Sequence, residues 1–103
     1  MEDIALELLN KNEIKYNKID DFGYSSLFRA VLSNMKILSL ELLKKEDINY
    51  NFIDPFGYTI LMCSIIENMK ILSLELLNKE DINYNSVNSD GDTALILSCK
   101  NKI

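Results

Sequence analysis

The segment 34–51 reads NMKILSLELLKKEDINYN and returns at 68–85 as NMKILSLELLNKEDINYN, with Lys44 against Asn78 as the single difference. A long in-phase duplication means that one structural unit is used more than once, and this has to be settled before any local motif is read. The step is 34 residues, and it also links Gly23, Gly57 and Gly91. Tyr16, Tyr50 and Tyr84 follow the same step, as do Asn17, Asn51 and Asn85. Leu8–Leu9 falls on Leu42–Leu43 and then on Leu76–Leu77. Met1, Met35, Met69 and Ile103 share one phase.

One period can be read for structure. Thr59–Glu67 (TILMCSIIE) is an apolar run of about two helical turns, with Thr59 placed to cap it. Met69–Asn78 (MKILSLELLN) carries apolar residues at 69, 72 and 76, widened by 71, 74 and 77, a stripe with helical spacing. The intervening NKEDINYNFIDPFGY is rich in Asn, Asp, Gly and Pro and predicts a polar turn or hairpin. Each in-phase Gly is expected at positive φ, and Ser25, Thr59 and Thr93 as side-chain caps of the following helix. Leu27, Leu61 and Leu95 are expected to stack in one column.

A tetratricopeptide repeat would fill nearly the whole period with helix, whereas some 15 residues per period here resist it. The chain resembles the ankyrin repeat instead. Asp54-Pro55-Phe56-Gly57-Tyr58-Thr59-Ile60-Leu61 is similar to that family's Asp-x-x-Gly-x-Thr-Pro-Leu opening, and the stretches 20–27 and 88–95 match in the same way. Leu76-Leu77 followed by Asp81-Ile82-Asn83-Tyr84-Asn85 resembles the family's closing Leu-Leu and Asp-Val-Asn. The family Pro is replaced by Ser26, Ile60 and Ala94, and its His by Phe28, Met62 and Ile96. Lys45-Glu46 and Lys79-Glu80 stand where it has Gly-Ala. The resemblance implies an all-α solenoid of stacked helix-turn-helix pairs with short β-hairpin-like loops. Its divisions would be a half repeat 1–19, repeats 20–53 and 54–87, and a half repeat 88–103.

The two half repeats carry an expectation of their own. The chain given opens in a second helix (Ile4, Leu6, Leu8, Leu9) and closes in a first helix (Leu95, Ile96, Leu97, Cys99), neither of which reads as a polar cap. The last helix of one molecule and the first of another would make one complete unit nearly in register, so a homo-oligomer is expected as one arrangement. Further repeats in a longer chain are another.

Composition bounds the chemistry. The chain has 103 residues, 48% hydrophobic and 26% charged, which suits one globular domain. A net charge of −5 argues against nucleic acid and anionic membrane as ligands, both of which need clustered Lys and Arg. No apolar run approaches the roughly 20 residues that cross a bilayer, and the acidic MEDIALELL does not read as a secretory signal. Cys63 and Cys99 lack metal-ligand spacing, and both are expected as buried apolar residues in a reducing, intracellular and cytoplasmic setting.

There is no histidine for general-base work and no phosphate-binding glycine loop, so no enzyme and no cofactor are expected. Asp21-Phe22-Gly23 copies a kinase metal motif without the rest of that machinery. The carboxylates Glu46–Asp47 and Glu80–Asp81 recur in phase and read as loop charges.

The resemblance implies a protein-binding module using the hairpin tips and the concave face of the inner helices. Carried over by position, the partner-binding residues are Asp21, Phe22, Tyr24, Leu32 and Ser33 in the first copy. Pro55, Phe56, Tyr58, Ile66 and Glu67 follow in the second, and Ser89, Asp90, Asp92 and Lys100 in the third. Phe22, Tyr24, Phe56 and Tyr58 would make a two-by-two aromatic patch, aromatics being the commonest interface anchors. Tyr16, Tyr50 and Tyr84 are expected to lie along the stack as structural residues.

Overall fold

The structure is a computed structural model and describes residues 1–101. Ile103, the last member of the methionine phase, and the final part of the 88–103 unit lie outside the described residues. Six short helices follow in order: α1 (Glu2–Leu9), α2 (Ser26–Leu32), α3 (Lys36–Leu43), α4 (Ile60–Ile66), α5 (Lys70–Leu77) and α6 (Ala94–Lys100). The expected helices agree with α4 and α5 to within a residue at each end.

Local chemistry explains the helix boundaries. Ser25 Oγ accepts from Phe28 N–H at 3.2 Å, Thr59 Oγ1 from Met62 N–H at 3.1 Å, and Thr93 Oγ1 from Ile96 N–H at 3.2 Å. Each cap supplies a partner to an amide that the first helical turn leaves without one. At the other end, Asn34 and Asn68 take the left-handed conformation with φ of 57° and 59°. Asn tolerates that region better than most residues, and it turns the chain at once from α2 into α3 and from α4 into α5. Gly23, Gly57 and Gly91 have φ of 89°, 82° and 81°, as the loop reading required.

The helices form two rows. In the inner row α2, α4 and α6 lie side by side, and in the outer row α1, α3 and α5 do so. α2 also packs on α3 and α4 on α5, so the duplicated segments fold alike and touch. Between the rows, Leu27, Phe28, Val31, Leu38, Leu42, Leu61, Met62, Leu72 and Leu76 make one buried core. Ser64 and Ser73 share a hydroxyl–hydroxyl hydrogen bond of 2.7 Å across the α4–α5 seam.

The solenoid expectation is overturned. Among the described residues there is no β-strand, and pairing goes no further than an isolated bridge between Ile53 and Thr59 and one backbone bond closing each loop, such as Asp54 N–H to the Tyr58 carbonyl at 2.9 Å. Asp54 Oδ1 takes the amides of Phe56 and Tyr58 at 2.9 and 2.8 Å, so these N–H groups are spent on a side chain rather than on a cross-strand ladder. Nor is the molecule elongated. Its extents are 39 × 27 × 27 Å and its radius of gyration is 13.2 Å, close to the roughly 13 Å of a compact domain of this length. The fold is a compact all-α globule, and the ankyrin resemblance does not carry over to it. Cys63 is buried as expected, but Cys99 is exposed.

Candidate interaction surfaces

The expected partner-binding residues lie along the loops and the adjoining ends of the inner helices. Asp21, Phe22, Ser33, Pro55, Ser89, Asp90 and Lys100 are exposed, and Tyr24, Tyr58, Glu67 and Asp92 are half-buried. A shallow groove of about 210 Å3 brings Leu32 together with Phe56, Tyr58, Ile66 and Glu67, beside Asp54 and Cys63. The third-copy residues join them by bonds within the molecule: Ser89 N–H donates to the Phe56 carbonyl at 2.9 Å, and Lys100 pairs with Asp92 at 2.9 Å.

These residues form neither hairpin tips nor a concave repeat surface, because the loops do not pair as strands. The binding mode that the resemblance implies therefore has no surface here to act through. The aromatic square is also divided. Tyr24 Oη donates to Asp54 Oδ2 at 3.0 Å and its ring meets Phe28 edge-on, with 5.1 Å between centroids. Arg29 lies over the rings of both Tyr24 and Phe22. Phe22 and Phe56 project outward and the two tyrosines face in.

The pKa shifts follow these contacts. The hydrogen bond to Asp90, then burial and the Asp90 and Asp92 charges, push the Tyr58 hydroxyl up to about 12. Burial, then the charges of Asp54 and Glu67, push the Cys63 thiol up to about 12, which keeps it protonated. Among the described residues no group of three or more His, Cys, Asp or Glu is placed to hold a metal ion. No described helix is long and apolar enough to cross a membrane.

Comparing equivalent positions reveals a surface that sequence reasoning missed. Leu27 and Leu61 are 0% and 1% exposed, whereas Leu95, one step further on, is 74% exposed. Leu43 is 4% exposed and its equivalent Leu77 is 49%. Phe28 and Met62 are buried and Ile96 is open. Leu74 on α5 and Tyr84 in the loop that follows it are exposed as well. The opposite face mirrors this in part. Ile4 and Leu8 on α1 are about half exposed, where Leu38, Leu42, Leu72 and Leu76 are buried. There α2 turns Ser26 and Arg29 outward, at positions where α4 has the buried Ile60 and Cys63. The inner row is thus polar on that side and apolar on the other.

The seams carry a second missed feature. Asn17 Nδ2 donates to the Asp47 carbonyl at 2.6 Å, and its Oδ1 accepts from Asn49 N–H at 2.9 Å. Asn51 does the same one step on, with Asp81 O at 2.8 Å and Asn83 N–H at 2.7 Å. The in-phase asparagines are legible in the sequence as a pattern of turn residues, and their bridging bonds only in the structure.

The chain matches no protein-family model and no curated protein.

Proposed function

We propose that the chain is a non-catalytic protein-association domain whose working surface is the apolar face of α5 and α6. The observation that carries this is the jump in exposure at equivalent positions, above all Leu61 against Leu95 and Leu43 against Leu77. Side chains selected to be buried in one copy stand open in the next, and covering each leucine is worth about 1.5–3 kcal/mol before the costs of association. The partner is a protein presenting an apolar helical face, since the internal occupant of the same positions is a helix pair. We place the domain in a reducing intracellular compartment, a reading supported by the two free thiols.

A photo-crosslinking residue at position 95 of the full chain tests the surface, with one at the exposed Glu46 as control. Discrete protein adducts are expected at 95, not at 46, and are expected to vanish when Leu77→Lys is added. No adduct at 95, or equal adducts at both positions, would overturn the reading.

A further inference from the structure

We infer that the partner for the α5–α6 face is a second copy of this chain, docked head to tail, with Asn85 as the residue that sets its register. This rests on the association reading above. It adds the identity of the partner, the geometry and a specificity-determining side chain.

The clasp supplies the geometry. Asn17 and Asn51 each bridge a carbonyl 30 residues on and an amide 32 residues on, in the neighbouring unit. Asn85 is the third member of the series; it is exposed, and its amide makes no hydrogen bond among the described residues. Its targets by the same offsets are positions 115 and 117. One unit of 102 residues, three steps of 34, brings these onto the Glu13 carbonyl and the Lys15 N–H of a second copy. Residues 13 and 15 are exposed, and neither backbone group named is hydrogen-bonded among the described residues. Of the three equivalent loops, theirs is the one that no asparagine clasps. It is also the one in which Glu13 sits at φ 60°, where Asp47 and Asp81 keep negative φ.

Other groups agree with that register. Tyr50 donates its hydroxyl to Asp81 of the next unit, and the equivalent step takes the exposed Tyr84 to Glu13 of the second copy. The α4–α5 pairing is the template for the helices. α6 has no outer helix beside it among the described residues, and α1 no inner one. α1 repeats the Leu-Leu and the phase of α5, so its open Ile4 and Leu8 match the Leu72 and Leu76 that pack under α4. A groove of about 360 Å3 lined by Ser64, Met69, Ser73, Ser98 and Asn101 lies where α1 of the second copy would rest. A hollow of about 470 Å3, lined in part by Ala5, Ala30 and Met35, lies where α6 would enter.

The receiving hollow carries Lys15, Lys18, Asp20 and Arg29, of which Asp20 and Arg29 already pair with each other at 2.9 Å. Ser26 and Arg29 make that hollow only partly apolar, so the contact is weak and reversible. Because the two faces differ, the contact is heterologous and continues into a ring or a filament rather than closing as a two-fold dimer.

Sedimentation velocity on the purified full chain over a wide concentration range tests this. Species larger than a dimer are expected to grow with concentration, and Asn85→Ala, on an exposed side chain, is expected to weaken them roughly ten-fold with unchanged circular dichroism. Leu95→Lys should abolish them. A chain that stays monomeric throughout would overturn the second copy as partner while leaving the crosslinking test of the face intact. Association that stops at a dimer, or that ignores Asn85→Ala, would overturn the head-to-tail geometry.

Discussion

Tyr58 passes over Asn88, the position equivalent to Asp54, and donates its hydroxyl to Asp90 Oδ2 at 2.6 Å. One unit earlier Tyr24 reaches Asp54 itself. An asparagine can turn either its oxygen or its nitrogen to a neighbour. Here Asn88 Oδ1 is taken by the amides of Asp90 and Asp92, each at 3.0 Å, leaving a buried Nδ2 without a partner among the described residues. The two loops thus solve the same turn with different acceptors, one buried and one exposed.

Tyr24→Phe is expected to cost about 1–2 kcal/mol, because it strands a carboxylate oxygen on the buried Asp54. Tyr58→Phe should cost much less, because the exposed Asp90 is rehydrated. Denaturant midpoints of the two variants, measured side by side, check the order.

Raised tyrosine pKa values make stability depend on alkaline pH. The folded Tyr58 sits at about 12 against an ordinary 10.0, and Tyr24 and Tyr50 are raised too. The unfolded chain therefore loses these protons first. Stability from this source is fully present below pH 10 and falls as pH rises through 10 towards 12. Unfolding followed across that window should show a shallower decline for Tyr58→Phe than for the parent chain.

A methyl group added at Gly57 would sit 3.1 Å from Asn88 Cα and 3.2 Å from the Val87 carbonyl, whereas one added at Gly91 would meet nothing within 4 Å. Both glycines hold a positive φ. Gly91→Ala is expected to cost about 1–2 kcal/mol from backbone strain alone. Gly57→Ala should cost more, because its obstacles are backbone atoms of Val87 and Asn88 and cannot swing aside. Thermal unfolding of both variants gives the comparison.

The two thiols should separate cleanly. Cys99 is exposed, and Cys63 is buried with its thiol held protonated. A thiol reagent is expected to label one cysteine rapidly in the native chain and the second only in denaturant. In the head-to-tail assembly Cys99 occupies the place of Ile65, so its labelling should also slow as the protein is concentrated.

The helices and their caps were legible because each depends on residues within one turn of the chain. Ser25, Thr59 and Thr93 announce their helix starts by side-chain chemistry and spacing alone. The loops were misread because Asn, Asp and Gly in that order permit a hairpin and an Asx turn equally. Whether Asp54 or a facing strand takes the Phe56 and Tyr58 amides depends on distances that sequence order does not contain. The carried-over surface residues lie along the loops and the adjoining helix ends, while the exposure of Leu77 on α5 and Leu95 on α6 has no signature in the sequence. Leu61 and Leu95 occupy the same position in their units and differ only in what stands next to them.

By itself the sequence determined the 34-residue step, the paired short helices, the capped starts and the glycines at positive φ, all of which follow from local steric and hydrogen-bonding preferences. Only the tertiary structure decided that the loops stay unpaired, that the units pack into a compact body, and that Asn17 and Asn51 lock one unit to the next while Asn85 is left open. Burial and long-range bonding are properties of neighbours, and equivalent residues acquire different neighbours at the middle and at the faces of the molecule.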